Sequence, residues 1–225
     1  MTTTIDYSSQ SMLAGPTAKM ICEFTGMDRA TFCNTGSEAV LAAMRIARTV
    51  TGNDLIVTFS GDYHGIFDEV LVKAKTIDGQ RCNQPIAPGI PASASQNILI
   101  LEYGDPASIK IIEERAEEIA AVLIEPIQSR TPELQPMEFI KEVRKVTRAA
   151  EIPMIFDEII PGFRLHPKGA QGWYDVEVDI ACYGKVIGGG MPIGVVAGKS
   201  LYMDALDGGM WQYGDDSFPE AGVTY

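Results

Sequence analysis

Asp179-Ile-Ala-Cys-Tyr-Gly-Lys-Val-Ile-Gly-Gly-Gly-Met-Pro-Ile-Gly194 is the stretch around which this chain is organised. Ile180 to Tyr183 is a short apolar run, the pattern of a strand buried on both faces. Gly184 breaks the run and delivers Lys185. Gly188, Gly189, Gly190 and Pro192 then forbid a regular helix. The chain has 18 lysines and arginines, and most of them must be solvated. Lys185 stands between an apolar strand and a glycine loop, where little water is expected. An amine so placed tends to lose its proton and become a nucleophile toward carbonyl carbon. The alternative is a loop lysine that lays its stem along the surface and keeps its ammonium in water.

Working outward, the same pattern repeats. Ser11 to Phe24 has helical spacing and ends at Gly26; Ala30 to Cys33 is a short strand. Gly36 to Thr49 is a helix rich in Ala, Met and Leu, stopped by Gly52. Leu55 to Phe59, Asn97 to Leu101, Ala120 to Ile124, Pro153 to Phe156 and Val195 to Ala197 are further strands. Pro106 to Ile119 and Pro136 to Ala149 are amphipathic helices, and Ile77 to Ser95 reads as a long loop, a length that is usually functional or mobile. Strands apolar on both faces and separated by helices predict an α/β fold with a mostly parallel sheet covered on both sides. No strong linker divides the chain, so one domain over residues 1–225 is expected.

Composition narrows the function classes. The chain is 46% hydrophobic and 21% charged, ordinary for a globular protein. A net charge of −12 with no basic patch argues against nucleic acid and anionic membrane surfaces as partners. Cys22, Cys33, Cys82 and Cys182 have no CxxC spacing and read as reduced thiols, which points to a cytoplasmic location. The first residues have neither a basic region nor an apolar stretch, and no run long enough to span a bilayer occurs. His64 and His166 are the only histidines and form no HExxH or Cys/His pattern, which argues against a metal site. No GxSxG is present, so a serine hydrolase lacks its signature.

In a parallel sheet the ligand crevice lies at the carboxyl ends of the strands. That rule selects Asn34-Thr-Gly-Ser-Glu-Ala39, Gly61-Asp-Tyr-His-Gly65, Glu125-Pro-Ile-Gln128, Asp157-Glu158 and Lys185, five polar clusters that should converge. Thr35, Gly36 and Ser37 open a helix, where free amides and the dipole meet an anion; an ordinary N-cap with Glu38 in the first turn explains them as well. Asp157 ends a strand with no cation beside it in sequence, so its carboxylate needs a partner such as a protonated ring nitrogen, or an ion pair elsewhere in the fold. Tyr63 and His64 lie between glycines, where an aromatic could stack on a planar ring or cover the edge of the core.

Taken together, Cys33-Asn-Thr-Gly-Ser-Glu-Ala39, Gly61-Asp-Tyr-His-Gly65, Glu125-Pro-Ile-Gln128, Phe156-Asp-Glu-Ile159 with Gly162-Phe-Arg164, and Gly184-Lys185 before the glycine run resemble the class III aminotransferases of fold type I. The resemblance covers nearly the whole chain and implies pyridoxal 5'-phosphate as cofactor. It implies that Lys185 is the Schiff-base lysine and the base that moves the substrate proton, and that Asp157 keeps the ring nitrogen protonated. It makes Thr35, Gly36 and Ser37 the phosphate cup, Tyr63 the stacked aromatic and Ile159 the branched residue on the other face. Gln128 becomes the amide at the ring hydroxyl; His64, Glu125 and Glu158 take supporting roles. The bound cofactor acts as an electron sink for transamination between an amino-acid donor and a keto acceptor.

A closer resemblance is to glutamate-1-semialdehyde-aminomutase-like domains inside mixed polyketide and peptide synthetases of the microcystin and nodularin type. Gln128-Ser-Arg-Thr-Pro-Glu-Leu-Gln-Pro136 and Tyr213-Gly-Asp-Asp-Ser-Phe-Pro219 carry it. The implied acceptor is a β-keto acyl chain on a carrier domain. Aminomutases proper are similar but carry an asparagine where this chain has Arg130. The resemblance also implies a homodimer with the site at its interface, small-domain segments before and after this region, and a threonine-bearing segment beyond Tyr225. The expected unit is therefore an incomplete large domain. An expectation of another class is a non-catalytic scaffold that keeps the fold, against which the intact Lys185 and Asp157 argue.

Overall fold

The computed structural model describes residues 11–77 and 80–206. In chain order the elements are α1 (Ala14–Thr25), β1 (Arg29–Cys33), α2 (Gly36–Thr51), β2 (Leu55–Phe59), β3 (Val72–Ile77), β4 (Gln80–Pro85), β5 (Ile98–Leu101), α3 (Pro106–Glu114), β6 (Ile119–Ile124), α4 (Met137–Ala149), β7 (Met154–Asp157), α5 (Ala170–Tyr174), β8 (Ile180–Gly184), β9 (Gly194–Gly198) and α6 (Ser200–Met203). The Tyr213–Pro219 segment quoted above lies outside the described residues.

Seven strands form one sheet in the order β1-β9-β8-β7-β6-β2-β5. The neighbours from β8 to β5 pair in parallel. β9 runs antiparallel to both β1 and β8, so β1 points the same way as the parallel strands. The carboxyl ends of β1, β2, β6, β7 and β8 consequently share one edge. The sheet is mostly parallel as expected, with one reversed strand inside it.

Both faces are buried because successive strand residues feed different cores. In β6, Val122 and Ile124 pack in a cluster with Phe139, Ile140 and Val143 of α4. Ala121 and Leu123 join the opposite cluster with Ala39, Ala43 and Met44 of α2. Each large aliphatic residue buried this way contributes about 1.5–3 kcal/mol. The buried alanines of α2, at positions 39, 42, 43 and 47, recur at helical spacing and let the helix lie close to the sheet. α2 then stops at Gly52, whose φ of 73° only glycine adopts at little cost.

Away from the carboxyl edge, Asp179 joins α4 to the amino ends of β7 and β8. Arg144 of α4 donates to both its carboxylate oxygens, at 2.6 and 3.1 Å, and the Met154 amide donates to one of them at 2.8 Å.

Two expectations are corrected. The span Ile77 to Ser95 is not one long loop: β3 and β4 pair antiparallel from Val72↔Pro85 to Ile77↔Gln80, and a 3-10 turn covers Ala92–Ser95. The second strand of this hairpin, Gln80-Arg-Cys-Asn-Gln-Pro85, has no apolar run to mark it. Its Asn83 amide donates to the carbonyls of Ser95 and Ile98, which anchors it beside β5. The helix expected over Pro106 to Ile119 ends at Glu114; Ala116–Glu118 is a 3-10 turn and Ile119 already opens β6.

Candidate active site

A cavity of about 170 Å3 opens at the carboxyl edge of the sheet. Gly36 and Ser37 after β1, Tyr63, His64 and Gly65 after β2, and Glu125 after β6 line it, together with Asp157 and Ile159 at the end of β7 and Lys185 after β8. Each of the five clusters picked from strand ends supplies at least one wall.

At one end lies the start of α2. Thr35 is its N-cap: its hydroxyl accepts from the Glu38 amide, and the Glu38 carboxylate accepts from the Thr35 and Asn34 amides. This capping box satisfies the third amide of the helix and leaves those of Gly36 and Ser37 for an anion. The Thr35 hydroxyl is thus committed to the cap, while Gly36 and Ser37 line the cavity. Glycine is required at 36 by close approach, because a Cβ there would sit 2.7 Å from Cδ1 of Ile159. Gly65 has φ 117°, and a Cβ on it would lie 2.5 Å from the Ser37 hydroxyl.

The floor carries the site's charges. Asp157 and His64 are buried, with 3% and 4% of their surface exposed. His64 Nδ1 lies 2.9 Å from Asp157 Oδ2, and its Nε2 lies 3.2 Å from Asp62 Oδ2. Burial alone would lower the basicity of His64, but hydrogen bonds to Asp157 and Asp62 override it and raise its pKa to about 10. The other Asp157 oxygen accepts from the Ile159 amide at 3.1 Å. The partner that the sequence around Asp157 lacks is therefore His64, from a different strand end.

Behind this floor lies a second set of contacts. Glu125 accepts from the Tyr63 amide at 3.1 Å and from the Ser129 amide at 3.0 Å, so it fixes the turn that presents Tyr63. Burial pushes its carboxyl pKa up. The Tyr63 ring is 40% exposed, and the Arg130 guanidinium lies 6.0 Å from its centroid. Gln128 is held against the turn after β2. Its Nε2 donates to the Ser60 carbonyl at 2.8 Å and to Asp62 Oδ1 at 2.7 Å, and its Oε1 accepts from the Thr131 hydroxyl at 3.0 Å. With its hydrogens spent on the β2 turn, Gln128 backs Asp62 and does not line the cavity.

Lys185 is set differently from the dry position expected of it, for its side chain is exposed. Its backbone has φ 47°, in the left-handed region that costs a non-glycine residue on the order of 1 kcal/mol. Gly184 pairs with Gly194 as β9 turns back, so the loop holding this strained residue is closed by the sheet. Glu158 points away from the cavity. Burial pushes its carboxyl up to about 7, against the opposing pull of hydrogen bonds from the Ala170 and Gln171 amides. It anchors the start of α5. Asp62 and Arg130 were not singled out as site residues from the sequence; the signal for Asp62 was its place in the same glycine-flanked turn as Tyr63 and His64.

A mostly parallel sheet covered on both faces, with a helix start, a lysine and a carboxylate at its carboxyl edge, matches the fold type I architecture of pyridoxal-phosphate aminotransferases. Within that architecture the chain belongs to the class III aminotransferase family, which it matches over residues 3–224. It is similar to the glutamate-1-semialdehyde 2,1-aminomutase of Methanopyrus kandleri, 40% identical over 192 residues, which are 84% of this chain and 44% of that protein. The aminomutase of Archaeoglobus fulgidus is 40% identical over 201 residues, 88% of this chain and 48% of its own. Among solved structures, an omega-transaminase from Sphaerobacter thermophilus superposes with a TM-score of 0.83 at 31% identity, covering 91% of this chain and 48% of that one. A glutamate-1-semialdehyde aminomutase from Pseudomonas aeruginosa PAO1 shares the fold, with a TM-score of 0.78 at 21% identity over 97% of this chain and 47% of its own. The chain spans about half the length of the relatives it matches. The family's enzymes use pyridoxal phosphate. Among the described residues no helix is long and apolar enough to cross a membrane.

Proposed function

We propose that this chain is the cofactor-binding large domain of a pyridoxal-phosphate-dependent transaminase that moves an amino group from an amino acid to a keto group. The observation that carries the reading is one cavity walled by Lys185, by Asp157 and by the start of α2, which come from three different strand ends. The residues suit the cofactor part by part. Gly36 and Ser37 offer amides and a hydroxyl to a phosphate, and their glycine neighbours leave room that a Cβ would fill. Tyr63 and Ile159 offer apolar surfaces to the two faces of a ring. Asp157 offers a buried carboxylate to a ring N–H. The Lys185 side-chain amine has no ion pair or hydrogen bond among the described residues and is the amine to hold the cofactor.

When bound, pyridoxal phosphate supplies an electron sink that makes the carbon next to the substrate nitrogen acidic. The chain's own residues do the rest. Asp157 would face the ring nitrogen and favour its protonated form, His64 holds Asp157 in place, and Glu125 fixes the turn bearing Tyr63. Lys185 would hold the cofactor and would be the base that takes the substrate proton and returns it.

The finer reading is a transaminase acting on a carrier-bound β-keto acyl chain in mixed polyketide and peptide synthesis, in the cytoplasm and as a homodimer. Its support is the sequence of Gln128–Pro136, with Arg130 over Tyr63. A second reading is a glutamate-1-semialdehyde 2,1-aminomutase, favoured by the identity to relatives of that name. The test has two stages. Pyridoxal phosphate added to the protein should produce a visible band, and borohydride followed by peptide mapping should put the adduct on Lys185. An adduct on Lys199, which instead donates to the Gly26 carbonyl at 3.1 Å, would refute the assignment. The full-length protein is then given a carrier-bound β-keto acyl chain with an amino donor, or glutamate-1-semialdehyde alone, and the substrate it converts decides between the readings.

A further inference from the structure

Asp62 lies three residues past the end of β2, and its side chain is only 2% exposed. A carboxylate this buried must be paid for by partners. Oδ1 accepts from Gln128 Nε2 at 2.7 Å, and Oδ2 accepts from the Glu125 amide at 3.2 Å and faces His64 Nε2 at 3.2 Å. Across the imidazole, Nδ1 faces Asp157 at 2.9 Å. The ring thus lies between two carboxylate oxygens, one on each nitrogen. A neutral imidazole has one N–H and one lone pair, so one of the two carboxylates would face a lone pair. Only the doubly protonated ring donates to both.

We infer that Asp62 is a positioning residue that locks His64 in its doubly protonated form, so that His64 in turn holds the Asp157 carboxylate ionised and oriented toward the cavity. The inference rests on the role proposed for Asp157 and gives it a supporting chain of charge: carboxylate, imidazolium, carboxylate. Its net charge is one negative, which remains at the cavity to meet a positively charged ring.

The other ionisable groups about this ring agree with that assignment. Glu125 adds a third buried carboxyl, tied through its amide to Asp62. The Cys182 thiol, in register with Asp157 on β8, is pushed up by burial and stays neutral. Lys185 lines the same cavity but has no hydrogen bond to any of these carboxylates. His64 is therefore the group that balances Asp62 and Asp157, and its raised proton affinity fits that place.

The chain has two histidines, which makes the test direct. His166 is exposed and accepts from the Lys168 amide at Nδ1, so it serves as an internal reference. The ring nitrogens of 15N-histidine-labelled protein, without added cofactor, are followed by NMR from pH 6 to 9, with His166→Gln giving the assignment. Both His64 nitrogens should stay protonated throughout this range. In Asp62→Asn the His64 midpoint should fall by at least one pH unit, into the observed range. A neutral His64 ring at pH 7 in the wild-type protein overturns the inference, and that spectrum decides whether or not the variant folds. An Asp62→Asn protein whose His64 titrates like the wild type overturns it as well. Loading both proteins with pyridoxal phosphate separates this result from the broader reading. The visible band should form in each, with about tenfold weaker binding in Asp62→Asn. A neutral His64 beside a normal band refutes the lock alone, whereas a charged His64 with no band in either protein refutes the cofactor reading on which it rests.

Discussion

Glu158 Oε2 accepts a hydrogen bond from the Ala170 amide at 2.9 Å, and this contact ties the residue after Asp157 to a short helix on the far side of the β7 turn. Burial raises the carboxyl to about 7, above its ordinary 4.5. A raised acid favours the fold in its neutral form, so its contribution is complete below about pH 4.5 and is lost as pH rises through about 7. The difference corresponds to about 3 kcal/mol. Glu158→Gln, which cannot ionise, should remove that pH dependence. Urea unfolding of both proteins at pH 4.5, 6 and 8 should show the wild type losing ground to the variant as pH rises; a constant difference would mean that Glu158 is ionised throughout.

Gly36→Ala should cost about 1–3 kcal/mol of stability through overpacking. The new Cβ falls 2.7 Å from Cδ1 of Ile159, and the neighbouring atoms Cγ1 and Cγ2 are at 3.2 Å. Ile159→Val deletes Cδ1, so the double variant should recover part of the loss. Denaturant melts of the four proteins close this cycle, and additive effects would show that the two residues do not compete for space.

Asp157→Asn should leave the fold intact and lower turnover of the full-length enzyme by roughly two orders of magnitude or more. The amide oxygen can still accept from His64, but the charge that keeps a ring nitrogen protonated is gone. Circular dichroism matching the wild type, together with a collapsed rate, is the expected pair of results. Turnover at the wild-type level would remove Asp157 from the mechanism.

Arg144→Ala should act on stability alone. Breaking a buried ion pair costs about 3–5 kcal/mol, and a discount for partial exposure, 12% at Arg144 and 15% at Asp179, brings it to about 2–3 kcal/mol. The cofactor dissociation constant should not change, because this pair lies at the amino ends of β7 and β8. A weakened affinity for pyridoxal phosphate would show that strain at that edge reaches the site.

The sheet was legible because β2, β5, β6, β7 and β8 are apolar runs without alternation, which only a doubly covered sheet explains. The convergence of the site was legible from the same fact, since strand ends in such a sheet share an edge. Pairings that depend on distance along the chain were not. His64 and Asp157 are 93 residues apart, and nothing local to either announces the other. Gln128 reads as a free amide at a strand end, yet the β2 turn folds back over it and takes its hydrogens. Lys185 reads as buried because its neighbours in sequence are apolar or glycine, but the left-handed turn at this residue brings its side chain to the surface. The β3–β4 hairpin is hard to read because β4 has no apolar run, although Val72 and Ala74 of β3 alternate with Lys73 and Lys75 and pack against the core.

The reversed strand has a consequence for the order in which the molecule is made. β1 sits at the edge of the sheet and touches it only through β9, from Arg29↔Gly198 to Cys33↔Gly194. β1 is therefore synthesised well before the strand it pairs with. Until Gly198 has left the ribosome, β1 and the helix start that follows it have no lateral support in the sheet, and contacts of such sequence separation form late and slowly. The parallel strands β2, β5, β6 and β7 can assemble earlier. Gly36 and Ser37 face Lys185 only after β9 closes the gap, so a nascent chain has a core well before it has a place for a cofactor.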